Sequence, residues 1–204
     1  MSEKKRLFLL DAYALIFRGY YAFIKNPRIN SKGMNTSAIM GFMNSLLDVI
    51  KREKPDHLAV CFDKGGSQER TEMFTEYKAN RDETPEAIVI AVPYIQKILE
   101  AMHIPVVVKE GFEADDIIAT ITKRAEKEKC EVLICTGDRD SFQLVNDQTT
   151  ILYPKRGVSE MSRMTPEAVI TKYGMSAEQY PDFAALRGDP SDNLPSIPGV
   201  GEKT

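Results

Sequence analysis

This sequence of 204 residues has only two histidines and three cysteines, and that poverty limits its chemistry. His57 and His103 stand alone, each ahead of an apolar run. There is no HExxH and no His/Cys cluster, so zinc of the usual kind has no ligands. Cys61, Cys130 and Cys135 are odd in number and never at CxxC spacing. Cys61 and Cys135 lie inside HLAVCF and EVLICT, where a small thiol is a core residue. Free structural thiols fit a reducing, cytoplasmic compartment. Long hydrophobic runs are absent too, and nothing approaches the roughly 20 residues that span a bilayer. The N-terminal apolar run is broken at Asp11, too early for a signal peptide. Net charge is small: 27 Lys+Arg against 30 Asp+Glu gives −3, with 43% hydrophobic residues. Intrinsic disorder is therefore excluded. At first sight this balance also counts against a nucleic-acid binder, which is expected to be basic. Internal repeats and low-complexity tracts are missing. The length suits one large domain or two small ones with a real core.

What is present alternates. Arg6–Asp11 (RLFLLD) reads as a buried strand that ends on an acid, and His57–Asp63 (HLAVCFD) as a second. Ile104–Lys109 and Glu131–Thr136 are further strands, with Thr149–Tyr153 another candidate. Between them Thr36–Lys51 has helical periodicity, with Ile39, Phe42, Met43, Leu46, Leu47 and Ile50 on one face. Pro85–Met102 reads as a helix kinked at Pro93. Glu113–Lys127 is a helix with acids first and bases last, as the macrodipole favours. Thr165–Tyr173 and Ser176–Leu186 are helical, and Gly188–Thr204 is rich in Gly, Pro, Asp and Ser. Lys64–Thr84 shows no apolar periodicity and is expected to be mobile and solvated. Strands alternating with helices indicate an α/β domain with a mostly parallel central sheet. The character shifts near Met175, beyond which loops and short helices dominate.

In open parallel sheets the ligand crevice lies beyond the carboxyl ends of the strands. The acids of this sequence fall there repeatedly. Asp11 and Asp63 end the first two strands. Glu113, Asp115 and Asp116 open the helix after the third. Asp138 and Asp140 follow the fourth, and Asp189 and Asp192 lie in the late loop GDPSDN. Each alone is a helix cap or a turn residue. Together they are a problem, because like charges ~4 Å apart repel by about 4 kcal/mol at an effective dielectric of 20. Hard divalent cations prefer oxygen ligands, and a site this acidic suits two ions about 3.5–4 Å apart, an arrangement used in phosphodiester cleavage.

Two further stretches face the same way. In ERTEMFTEYKANR, Lys78 and Arg81 are three apart, so on a helix they would share a face, and basic side chains beside Tyr77 can hold phosphates and stack on an unpaired base. Taken alone it reads rather as a solvated loop with mixed charges. Arg18, Tyr20 and Tyr21 follow Asp11 by about two helical turns. The terminal IPGVGEKT is not a P-loop, because Glu202 stands where a Walker motif needs Gly directly before Lys. A Gly-Val-Gly turn between two helices instead exposes backbone N–H groups to a phosphate.

These residues together resemble the 5′-nuclease domains found at the N-terminus of bacterial DNA polymerase I, within the flap-endonuclease family. The resemblance rests on LLDAYALIFRGYYAF, AVCFDKGG, RTEMFTEYKANRDETP, GFEADDIIAT, TGDRDSFQLV and LRGDPSDNLPSIPGVGEKT, which run in the family's order over nearly the whole chain. It implies a PIN-like core over 1–175 with an arch segment at 64–84, and the start of a C-terminal helix-hairpin-helix over 176–204. It implies a metal-dependent 5′-3′ exonuclease and 5′-flap endonuclease acting on DNA, RNA-primed strands included, in replication and repair. The implied localisation is cytoplasmic and nucleoid-associated, with no membrane. Two divalent cations, Mg²⁺ with Mn²⁺ substituting, are implied at Asp11, Asp63, Glu113, Asp115, Asp116, Asp138, Asp140, Asp189 and Asp192. Tyr77, Lys78 and Arg81 match the arch, and Arg18 a basic residue near the scissile phosphate. Gly199, Val200, Gly201 and Lys203 match the hairpin that grips duplex backbone. Family domains continue past GVGEKT, so this sequence is expected to be a fragment that a polymerase domain follows in the natural protein.

Three competing readings remain. A truncated, catalytically weak module that binds branched DNA predicts binding without product. A PIN-type ribonuclease shares the acid-tipped sheet but is expected to lack GDPSDNLP and the glycine turn. A small-molecule phosphatase leaves Tyr77–Arg81 without a task. The charge objection also weakens. Setting the nine acids aside leaves 21 acids against 27 bases, so the remaining surface is mildly basic.

Overall fold

The computed structural model of the chain describes residues 4–155 and 160–201. The run RLFLLD is strand β1 (Arg6–Asp11). Phe8 and Leu10 enter one core and Leu9 the other. A strand buried on both faces needs unbroken apolarity rather than alternation, so such strands stand out as runs. The chain continues through α1 (Ala12–Ala22), α2 (Ser37–Glu53), β2 (His57–Phe62), α3 (Gln68–Met73), α4 (Glu86–Ala101), β3 (Val106–Val108) and α5 (Ala114–Lys127). It closes with β4 (Glu131–Cys135), β5 (Thr149–Pro154), β6 (Met161–Met164), α6 (Pro166–Tyr173) and α7 (Tyr180–Arg187).

The sheet order is β3-β2-β1-β4-β5-β6, parallel throughout except for the antiparallel edge strand β6. Helices α1, α2 and α4 cover one face, and α5, α6 and α7 the other. The strand order reverses between β1 and β4, and ligand crevices form at such a switch point. Asp11 stands there, as the last residue of β1 and the N-cap of α1, its carboxylate accepting from the Ala14 N–H.

Helices α1 and α2 cross at a pair of glycines. A Cβ on Gly41 would lie 2.2 Å from the Gly19 Cα, so the backbones meet with no room for a side chain. Helix α4 runs through Pro93, which lies on its exposed side. Water there can serve the carbonyl that proline's missing N–H leaves behind.

Three local expectations change. Residues 12–22 form a helix that the reading of β1 did not extend to. The stretch Ser176–Leu186 is a short 3₁₀ turn at Ala177–Gln179 followed by α7, because Pro181 suits a helix's first turn rather than its middle. Lys64–Thr84 is not uniformly solvated. Ser67 caps α3 through its hydroxyl, which accepts from the Arg70 N–H at 3.2 Å, and Tyr77 and Lys78 are half-buried. Their partners are charged groups, so no apolar periodicity announced them. Tyr180 is fully buried among Phe142, Tyr173 and Phe183. This anchors α7 on the core of the sheet and delivers the following loop, Asp189–Asp192, to the sheet's carboxyl edge.

Candidate active site

The carboxylates gather in two groups that share Asp138. In the first, Asp11 is buried, with its oxygens accepting from the Ala14 N–H at 3.1 Å and the Thr136 hydroxyl at 2.9 Å. Burial, reinforced by Asp63 and Asp138, nevertheless pushes its pKa up to about 6. Asp63 accepts from the Ala114 N–H at 2.7 Å and is also raised, by burial first and by Glu113 next. Asp115 is raised strongly by burial and by the nearby Asp11 and Asp138. One of its oxygens is buried with no hydrogen-bond partner. In the second group, Asp140 is pushed up to about 6 by burial, Asp138 and Asp189, although its side chain is 45% exposed. Asp138 accepts from the Asp140 N–H at 2.8 Å, and Asp189 caps its own loop through the Ser191 N–H at 2.8 Å.

Between these groups lies a crevice of about 500 Å³ walled by Glu113, Asp115, Asp116, Asp138, Asp140 and Asp192, with Arg70 and Tyr77 opposite. Asp140, Asp189 and Asp192 continue into an adjoining hollow with Arg81 and Arg187.

Cations meet the outer acids. Lys78 Nζ donates to both Glu113 oxygens at 2.8 Å and stands 3.8 Å from Asp192. The Arg81 guanidinium pairs with Asp192. The Tyr77 hydroxyl donates to Glu113 and Asp192, both at 3.2 Å, and burial followed by those two charges raises its pKa. Arg70 donates two bonds to Asp116, at 2.7 and 3.1 Å, and one to Glu113 at 3.1 Å. Among the described residues no three His, Cys, Asp or Glu side chains converge as a ready metal-binding group. The contacts give the reason: Glu113, Asp116 and Asp192 are turned to cationic side chains. The inner acids Asp11, Asp63 and Asp115, crowded beside Asp138, have raised pKa values. A buried oxygen without a donor and acids that burial opposes are what a hard cation would relieve, so the residues fit one.

Arg18 is placed elsewhere. Its guanidinium donates to the Lys155 and Glu160 carbonyls, each at 3.2 Å, and to Met161 Sδ at 3.3 Å. It lines a groove with Tyr21 and Lys155 that meets the adjoining hollow at Gly137. Gly199, Val200 and Gly201 form an exposed turn that does not line the crevice, and Lys203 lies outside the described residues. Sequence reasoning did not single out Arg70, Thr136, Asn80 or Asn193. Arg70 could have been found from its place seven residues before Tyr77, on the same segment as the other cations. Thr136 and the asparagines act through one or two side-chain hydrogen bonds and leave no such signal.

The family model described as 5′-3′ exonuclease, N-terminal resolvase-like domain, matches residues 6–174. The DNA polymerase I of Mycobacterium tuberculosis (strain H37Rv) is 50% identical over 201 residues, 98% of this chain and 22% of that protein. The DNA polymerase I of Bacillus subtilis (strain 168) is 42% identical over 205 residues, 100% of this chain and 23% of that protein. The chain thus spans less than a quarter of the length of these relatives. Among solved structures, T5 5′-exonuclease with divalent zinc ions bound superposes with a TM-score of 0.77 at 23% identity, over 98% of this chain and 72% of that one. That likeness concerns the fold.

Proposed function

Because this chain belongs to the family of 5′-3′ exonuclease N-terminal, resolvase-like domains, we propose that its acid crevice hydrolyses DNA phosphodiesters at 5′ ends and 5′ flaps. The observation that carries this reading is a crevice lined by Glu113, Asp115, Asp116, Asp138, Asp140 and Asp192, with Tyr77, Lys78 and Arg81 reaching its acids. Neither a phosphate-free substrate nor a purely structural edge accounts for cations and carboxylates in that arrangement.

Two divalent cations, Mg²⁺ or Mn²⁺, would be held by the two carboxylate groups. Asp11, Asp63, Glu113, Asp115, Asp116 and Asp138 serve one, and Asp138, Asp140, Asp189 and Asp192 the other, directly or through water. The T5 5′-exonuclease of the same fold binds divalent ions. Such ions, when bound, polarise a phosphate and lower the pKa of water. The chain's own residues do the rest. Lys78 and Arg81 stabilise charge on the phosphate oxygens. Tyr77 offers a ring to an unpaired base. Arg18, held by the β5–β6 hairpin, lies within reach of the backbone flanking the cut. The N–H groups of Gly199, Val200 and Gly201, with Lys203, hold the duplex backbone without reading sequence.

On this reading residues 1–175 are the nuclease core with an arch at 64–84, and 176–204 begin a helix-hairpin-helix. The natural protein continues into a polymerase domain, as its relatives' lengths suggest. Its work is primer removal and repair.

The test is cleavage of a labelled 5′-flap duplex in Mg²⁺ and Mn²⁺. Product released from the 5′ side supports the reading. Flap binding in Ca²⁺ with no product in either active ion would make the chain a binding module. Cleavage of RNA flaps alone would favour a PIN-type ribonuclease.

A further inference from the structure

The segment bearing Tyr77, Lys78 and Arg81 meets the loop after α7 in two layers of contact. One layer is ionic: Lys78 and Arg81 reach the carboxylates of Glu113 and Asp192. The other uses no carboxylate. The Asn193 side-chain amide donates to the Glu76 carbonyl at 2.8 Å, and the Asn80 amide to the Pro190 carbonyl at 2.7 Å. The Lys78 N–H donates to the Asp192 carbonyl at 2.9 Å. Lys78 and Asn193 both hold left-handed backbone, at φ 57° and 60°. Such conformations persist where the surroundings over-determine them.

The two layers answer a cation differently. An ion drawn to Glu113 and Asp192 competes with Lys78 and Arg81 for the same oxygens. It does not compete for the carbonyls of Glu76, Pro190 and Asp192. Loss of the ionic layer therefore leaves the segment tethered, with two cationic side chains released beside the crevice.

The geometry points to Asn80 and Asn193 as positioning residues that dock the segment by its backbone, so that cation uptake frees Lys78 and Arg81 for a substrate phosphate without freeing the segment. The role of the freed side chains rests on the nuclease reading; the docking does not.

Trypsin cleavage after Lys78 and Arg81 tests the docking in Asn80→Ala and Asn193→Gly, glycine being chosen to keep the left-handed backbone. One amide–carbonyl bond is worth about 1 kcal/mol, or roughly fivefold in the open population that a protease samples. The parent should be cut at similar rates in EDTA and in saturating Mn²⁺, and each variant about fivefold faster in both. Mn²⁺ affinity, read from the paramagnetic signal of free Mn²⁺, should match the parent in both variants and tighten in Lys78→Met. Flap cleavage should lose kcat in both variants at that unchanged affinity. Mn²⁺ that accelerates cutting of the parent to the variants' rate would overturn the inference, as would variants cut at the parent's rate. A parent that cleaves no flap while the tryptic pattern holds would sink the nuclease reading and leave the docking intact.

Discussion

Without metal, the protein should lose stability as the solution is made less acidic. Asp11 is 8% exposed, and its pKa rises from an ordinary 3.8 to about 6 in the fold. An acid raised on folding contributes stability that is fully present below 3.8 and lost as pH climbs through 6. About two pKa units at 1.36 kcal/mol each amount to roughly 3 kcal/mol in all, of which about 1.3 kcal/mol disappears between pH 5 and pH 7. Asp63 and Asp115 are raised in the same direction and add to the loss. Asp140 is left out of the sum, because its half-exposed carboxylate is screened by water. Urea unfolding in EDTA at pH 5, 6 and 7 reads the slope directly. Asp11→Asn supplies the control: its amide oxygen can still cap α1 through the Ala14 N–H, but no charge forms. The variant should be flatter across this range and more stable than the parent at pH 7 by about 1 kcal/mol or more. A parent whose unfolding free energy is flat or rising from pH 5 to pH 7 in EDTA, with no change in slope in Asp11→Asn, would refute the reasoning.

Divalent ions should reverse that loss. At 100 times its dissociation constant, Mg²⁺ should stabilise the fold by about 2.7 kcal/mol and raise the melting temperature, and an unchanged melting curve would count against cation uptake by these acids. Asp116→Ala should abolish metal-dependent flap cleavage, since it removes an acid of the crevice and a partner of Arg70; activity equal to the parent would remove Asp116 from the site. Gly41→Ala should cost about 1–3 kcal/mol or more, because its Cβ meets the Gly19 backbone at 2.2 Å. Calorimetry that finds the parent's melting temperature in Gly41→Ala would mean that α1 and α2 separate freely.

The parts of the fold legible in the sequence are those under a strong local rule. Strands buried on both faces need apolar runs, so β1, β2 and β4 stood out, and in a parallel sheet their final residues fall on one edge. That places Asp11, Asp63 and Asp138 near one another before any coordinates are known. Helix α1 escaped because AYALIFRGYYA is apolar nearly all round, which blurs a helical period. The edge strand β6 has four residues and one buried side chain, too little pattern to read.

The docking of Tyr77–Arg81 was illegible for a deeper reason. It depends on asparagine amides meeting backbone carbonyls more than 100 residues away in sequence, and a carbonyl carries no residue identity. The cations beside it were visible, but not what they face. Near neutrality of the whole chain concealed this pairing as well. The −3 total conceals an inner, burial-stressed set of acids beside an outer set matched by Arg70, Lys78 and Arg81. Asp11 and Asp63 of the inner set are met by N–H and hydroxyl donors, which do not outweigh their burial. Stability should therefore respond to pH and to divalent ions mainly through Asp11, Asp63 and Asp115. Substitution of Lys78 or Arg81 should instead shift the competition for Glu113 and Asp192, so the two sets are separable by experiment although they share one crevice.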